Sequence, residues 1–138
     1  MAFVLDASIV LKWFVTDEMS RDANSVLDRT RREGAVVPAL FRWEAQSVLT
    51  RAVLDCRITE SLLDVALEEL SSLPITVDHP ANELAFGGES GLALRYELTP
   101  YDAAYLAVAL DYRLALATAD NDLRRAAREA DVEVVYVR

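Results

Sequence analysis

Asp6, Glu44, Asp102 and Asp120 are the side chains of this sequence whose types and settings could do chemistry. Asp6 closes the apolar run Ala2-Phe3-Val4-Leu5, and Asp120 follows a second apolar run at 114–117. Asp102 stands at the mouth of a very apolar helical segment, and Glu44 interrupts the apolar face of another. Strand ends of a parallel sheet converge on one edge, where open α/β folds place their ligands. Carboxylates gathered there repel one another unless a cation neutralises them. A donor set made only of oxygen suits a hard divalent ion such as Mg2+ or Mn2+. Water made more acidic by such an ion could attack a phosphodiester while the metal offsets charge on the leaving oxygen. Ser8 and Thr118 could orient waters or a phosphate oxygen through their hydroxyls. The pattern points to metal-dependent phosphoryl transfer.

Each aspartate also fits a quieter role. Asp6 and Asp120 precede helical segments and could cap them, and Asp102 could complete a capping box with Thr99. Glu44 is harder to reduce to local structure, because Leu40, Phe41, Ala45, Val48 and Ala52 share its helical face. A glutamate there either sits at the edge of the stripe or is buried with a partner. The partner expected is a cation shared with the three aspartates. Cys56 and His79 are single residues, which excludes an internal disulfide, a histidine-built zinc site and a serine triad.

The elements that would position these acids alternate between short β-rich runs and longer helical ones, as in an α/β domain with a mainly parallel sheet. Strands are predicted over 2–6, 35–37, 75–77, 114–118 and 132–137. Helices are predicted over 8–15, 20–33, 40–56, 59–72, 82–96 and 122–130, and a further one starts at Thr99. Gly34 should end the second helix. Thr99-Pro100-Tyr101-Asp102 is the clearest start signal, with a capping threonine, proline at the first helical position and an acid behind them. Gly87, Gly88 and Gly91 weaken the helix over 82–96. A phosphate-loop reading of that cluster is poorly supported, since no strand leads into it and no lysine follows.

The 138 residues suit one domain, 1–138, and the 53% hydrophobic and 27% charged composition suits a folded globular chain. No signal peptide is evident, and no apolar run approaches the ~20 residues needed to span a bilayer. A cytoplasmic location without membrane attachment is expected. The net charge of −9 argues against a nucleic-acid coat protein but leaves room for an enzyme acting on nucleic acid. Arginines cluster at 29, 31 and 32 and again at 124, 125 and 128. Either group could form a solvated helix face or contact a polyanion.

Val4-Leu5-Asp6-Ala7-Ser8, Pro38 with the downstream Glu44, Tyr101-Asp102-Ala103-Ala104-Tyr105-Leu106-Ala107 and Thr118-Ala119-Asp120 together resemble the PIN-domain ribonucleases. The likeness runs along essentially the whole chain and is greatest to the toxins of VapBC toxin–antitoxin pairs. It implies a PIN-like three-layer α/β/α domain and RNA cleavage with Mg2+ or Mn2+. It further implies that Asp6, Glu44, Asp102 and Asp120 form the site, with Asp6 and Asp102 as direct metal ligands. Asp122 is an optional further acid, and Ser8 and Thr118 match polar positions beside the site. A homodimer and a cognate antitoxin are implied as well. Trp13 and Phe14, together with the apolar stripe 62–70, offer surfaces for such partners or belong to the core. Two rival functions are a phospho-acceptor receiver domain, which needs a lysine near the acids, and an inactive PIN-like binding module. A haloacid-type phosphatase would need a second acid where Ser8 stands.

Overall fold

The apolar runs become the strands of a parallel sheet in a computed structural model that describes residues 1–79 and 91–138. The strands are β1 (Phe3–Leu5), β2 (Ala35–Pro38), β3 (Ile75–Asp78), β4 (Leu116–Thr118) and β5 (Val134–Tyr136). Their order is β3-β2-β1-β4-β5, with every neighbouring pair parallel. Val4 sits at the centre of the register, opposite Val36 on one side and Leu116 on the other. All residues of β1 and β4 are buried, as expected for parallel strands covered on both faces. The chain lays strands outward from β1 to β3 and then returns to place β4 on the other flank of β1. That reversal makes the carboxyl ends of β1 and β4 a topological switch point, where side chains line a crevice.

Helices flank the sheet: α1 (Val10–Phe14), α2 (Arg21–Glu33), α3 (Leu40–Leu54), α4 (Glu60–Ser72), α5 (Gly91–Tyr96), α6 (Pro100–Tyr112) and α7 (Asn121–Glu129). Most begin and end where the capping signals lie. Ser20, Thr59, Thr99 and Asp120 each accept the backbone N–H three residues on. Gly34 closes α2 with φ 78°. α3 and α6 instead run into non-glycine residues of positive φ, Cys56 and Arg113. The predicted helix over 8–15 divides into a 3-10 turn, Ala7–Ile9, followed by α1. Of the segment 82–96 only α5 is seen; Gly87, Gly88 and the rest of 80–90 lie outside the described residues.

α6 is the central helix. It packs on β1, β2 and β4 and against α5 and α7, and Tyr105, Leu106, Ala107, Val108 and Ala109 on it are all buried. Of the two surfaces suggested by the sequence, Trp13 and Phe14 belong to the core, whereas the stripe 62–70 is only half covered. Trp13 and Phe14 are buried, and the Trp13 indole N–H donates to the Ala23 carbonyl at 2.9 Å. On α4, Ala66 is buried while Leu63, Leu67 and Leu70 pack half-buried against the core. Burying a large apolar side chain such as Phe14 stabilises the fold by roughly 1.5–3 kcal/mol, which explains why it is inside. Among the described residues no helix is long and apolar enough to cross a membrane.

Candidate active site

Asp6 leaves the end of β1 buried, and both neighbouring hydroxyls converge on one of its oxygens. Ser8 Oγ donates to Asp6 Oδ2 at 2.6 Å, and Thr118 Oγ1 donates to the same atom at 2.7 Å. Those hydroxyls are themselves fixed, because Ser8 Oγ accepts Ala119 N–H and Thr118 Oγ1 accepts Asp120 N–H, both at 3.0 Å. The backbone N–H of Asp6 reaches the Ala117 carbonyl at 3.0 Å. The capping role considered for Asp6 is not made, since its side chain bonds no helix N–H. Its carboxylate belongs instead to the seam between β1 and β4.

The other acids enter from three helices. Glu44 comes from α3, and its Oε1 accepts the Tyr105 hydroxyl at 2.6 Å. Asp102 lies in the first turn of α6, where its N–H is capped by Thr99 Oγ1 at 3.2 Å. Asp120 precedes α7, and its Oδ1 caps the Leu123 N–H at 2.9 Å. Asp122 follows on the first turn of α7 and is exposed. Asp6, Glu44 and Asp120 are therefore each held by one oxygen, while Asp6 Oδ1, Glu44 Oε2 and Asp120 Oδ2 accept no hydrogen bond among the described residues. Tethering one oxygen and presenting the other is how a carboxylate is oriented towards a ligand.

Electrostatics tie the four acids together. Burial raises the Asp6 pKa, Ser8 and Thr118 pull it back, and Glu44 and Asp120 add repulsion. Burial and the negative charges of Asp120 and Asp6, with a smaller push from Asp122, bring Asp102 up to about 6. Glu44 is raised by burial and by Asp102, against the lowering effect of the Tyr105 hydroxyl. Burial and Glu44 drive the Tyr105 phenol far up, so it remains a proton donor.

The donor set fits a divalent cation. Among the described residues no lysine, arginine or histidine pairs with any of these acids, and residues 80–90 contain none of those types. Lys12 is paired with Glu18 at 3.5 Å. Four arginines of the two clusters are engaged locally: Arg29 with Glu33, Arg31 with Asp28, Arg125 with Glu129, and Arg124 over the Tyr136 ring. The acids do not close into a ready cage, as no three metal-ligating side chains among the described residues converge to that degree. Such an open set agrees with Mg2+, which takes one or two carboxylates and keeps most of its waters. A cleft of about 380 Å³ between α3, α4 and β3 is lined by residues such as Phe41, Leu67 and Ile75, and none of the site acids lines it.

The one contributor that sequence reasoning missed is Tyr105. Glu44 was expected to share a cation, and the partner found in the chain is a phenol 61 residues away. Tyr105 lay inside the segment Tyr101 to Ala107, three residues after Asp102 and so on the same side of the helix. That spacing was the available signal.

Comparison with known proteins bears on the family and the fold. The PIN domain family model matches residues 3–129. The crystal structure of PAE2754 from Pyrobaculum aerophilum superposes with a TM-score of 0.69 at 22% identity, covering 98% of this chain and 90% of that one. FitAB, solved bound to an IR36 DNA fragment, superposes with a TM-score of 0.64 at 15% identity, covering 100% and 98%. At those identities the likeness establishes the fold alone. No curated protein matches the sequence.

Proposed function

The chain belongs to the PIN domain family, one of metal-dependent nucleases, and from that premise we propose that it is a Mg2+- or Mn2+-dependent endoribonuclease of the VapC type. In this reading it is the toxin of a type II toxin–antitoxin pair, and residues 1–138 act as a single PIN domain in a cytoplasmic homodimer. The observation that carries the activity is the set of acids at the β1–β4 switch point, with Asp6 and Asp102 raised by burial and by neighbouring negative charge, and none of the set paired with a basic side chain among the described residues. Asp6 and Asp102 hold the ion. Glu44 and Asp120, through their presented oxygens, orient waters, and Asp122 adds negative charge at the rim. Ser8 and Thr118 fix the Asp6 carboxylate. When bound, the ion supplies Lewis acidity towards the scissile phosphate and a water acidic enough to serve as nucleophile.

The receiver reading fails on topology as well as on lysine. Receiver domains order their strands 2-1-3-4-5, whereas this sheet runs β3-β2-β1-β4-β5, and Lys12 is committed to Glu18. A cognate antitoxin with basic residues would complement the net charge of −9 and the carboxylate crevice. FitAB was solved on DNA; for this acidic chain, DNA contact in any comparable assembly would fall to the partner protein.

The test is incubation of the purified, antitoxin-free protein with single-stranded RNA and DNA of matching sequence. Discrete RNA fragments in Mg2+ that vanish with chelator support the reading. Cleavage that survives the chelator, or intact RNA across a broad RNA pool, argues against it.

A further inference from the structure

Tyr105 is fully buried on α6, yet its hydroxyl reaches out of the core to Glu44 Oε1 at 2.6 Å. Glu44 is only half-buried and could turn towards solvent, since nothing else among the described residues bonds its carboxylate. Asp102 lies one turn before Tyr105 on the same helix, so a single rigid element carries one acid and the anchor of another. The position of Glu44 relative to Asp102 is thereby set across two helices that leave the chain far apart. A phenylalanine would fill the same core space, and only the hydroxyl links that space to the site.

Building on the nuclease reading, we propose that Tyr105 is a positioning residue: it clamps Glu44 Oε1 so that Oε2 faces the cation held by Asp6 and Asp102. The clamp parallels the one on Asp6, where Ser8 and Thr118 occupy Oδ2 and leave Oδ1 free among the described residues. Partners that orient ligating groups in this way typically change metal affinity or activity by about 10–100-fold when removed.

The experiment is a double-mutant cycle read by Mn2+ titration calorimetry, with single-stranded RNA cleavage as a second readout. Tyr105→Phe is expected to weaken Mn2+ binding about 10-fold. In a Glu44→Ala background the same substitution should change nothing further, because the group it positions is gone. A merely structural tyrosine would instead leave the Mn2+ affinity within about two-fold of native, or show its full effect in both backgrounds; either result overturns the proposal. Should Tyr105→Phe fold poorly, Glu44→Asp at the half-buried end of the bond stands in: it keeps the charge but draws it away from the phenol, and Mn2+ binding should weaken by a similar factor, native-like affinity overturning the proposal. Native protein that binds Mn2+ with the expected coupling but leaves RNA intact contradicts the nuclease reading while the clamp stands. Native protein that binds no Mn2+ overturns both.

Discussion

Thr118 Oγ1 donates to Asp6 Oδ2 at 2.7 Å, joining two strand ends that lie 112 residues apart in the chain. The same oxygen accepts the Asp120 N–H at 3.0 Å, so one buried hydroxyl sets the direction of two acids. Thr118→Val keeps the shape but strips both bonds. The expected cost is about 1–3 kcal/mol, since a buried carboxylate loses a donor and an N–H loses its acceptor. Ser8 is half-buried and water can replace it, so Ser8→Ala should cost less, within about 1 kcal/mol. Urea unfolding of the two variants checks the order.

Asp120 has two functions that substitution can separate. Its Oδ1 caps α7 and its charge bears on Asp6 and Asp102. Asp120→Asn keeps an oxygen for the Leu123 N–H, so stability should stay within about 0.5 kcal/mol of native while Mn2+ affinity falls. Asp120→Ala loses the cap as well and should cost about 1 kcal/mol. Thermal melts set beside metal titrations distinguish the two effects.

Asp102 links stability to pH with a definite sign. Its pKa rises from 3.8 to about 6 on folding, so between those values the folded chain binds the extra proton. Its contribution favours folding at low pH and is lost as pH rises through about 6. Metal acts in the opposite sense, because it requires the ionised carboxylates. Millimolar Mg2+ should therefore raise the melting temperature by several degrees near neutral pH and by much less at about pH 5. An equal shift at both pH values would place the metal away from Asp102.

Gly34 offers a control remote from these acids. Its φ of 78° and ψ of 165° lie where essentially only glycine is comfortable, and an added Cβ would meet the Pro74 carbonyl oxygen at 3.1 Å. Gly34→Ala is expected to destabilise by about 1–3 kcal/mol. Its Mn2+ affinity, measured below the melting range, should match the native value.

Much of this architecture was legible because it depends on local signals. Ser20, Thr59, Thr99 and Asp120 mark helix starts in the sequence and cap helices in the structure. The apolar runs before Asp6 and Asp120 become β1 and β4, which places those acids on one edge. What stayed hidden depends on tertiary pairing. The stripe around Glu44 allows an edge position or a buried partner, and periodicity cannot choose between these or between a cation and a phenol 61 residues on. Trp13 and Phe14 read equally well as surface or core, because a short segment following β1 has too few turns to show which face is covered. Asp6 looked like a helix cap from its neighbours alone; two hydroxyls from the β1–β4 seam drew it elsewhere.

The central claim is that carboxylates at the β1–β4 edge hold a cation for RNA cleavage, and charge-removing substitutions on one edge of the sheet test it most directly. Asp6→Asn and Asp102→Asn are compared with Asp78→Asn, which alters a buried acid at the end of β3 tied to the Tyr112 hydroxyl at 2.8 Å. Each protein is incubated with RNA in Mg2+ and in chelator. The expected result is Mg2+-dependent cleavage by the native chain and by Asp78→Asn, with a loss of about 100-fold or more in the other two variants. Cleavage that persists in Asp6→Asn and Asp102→Asn, or that ignores the chelator, would contradict the assignment of this edge as the active site.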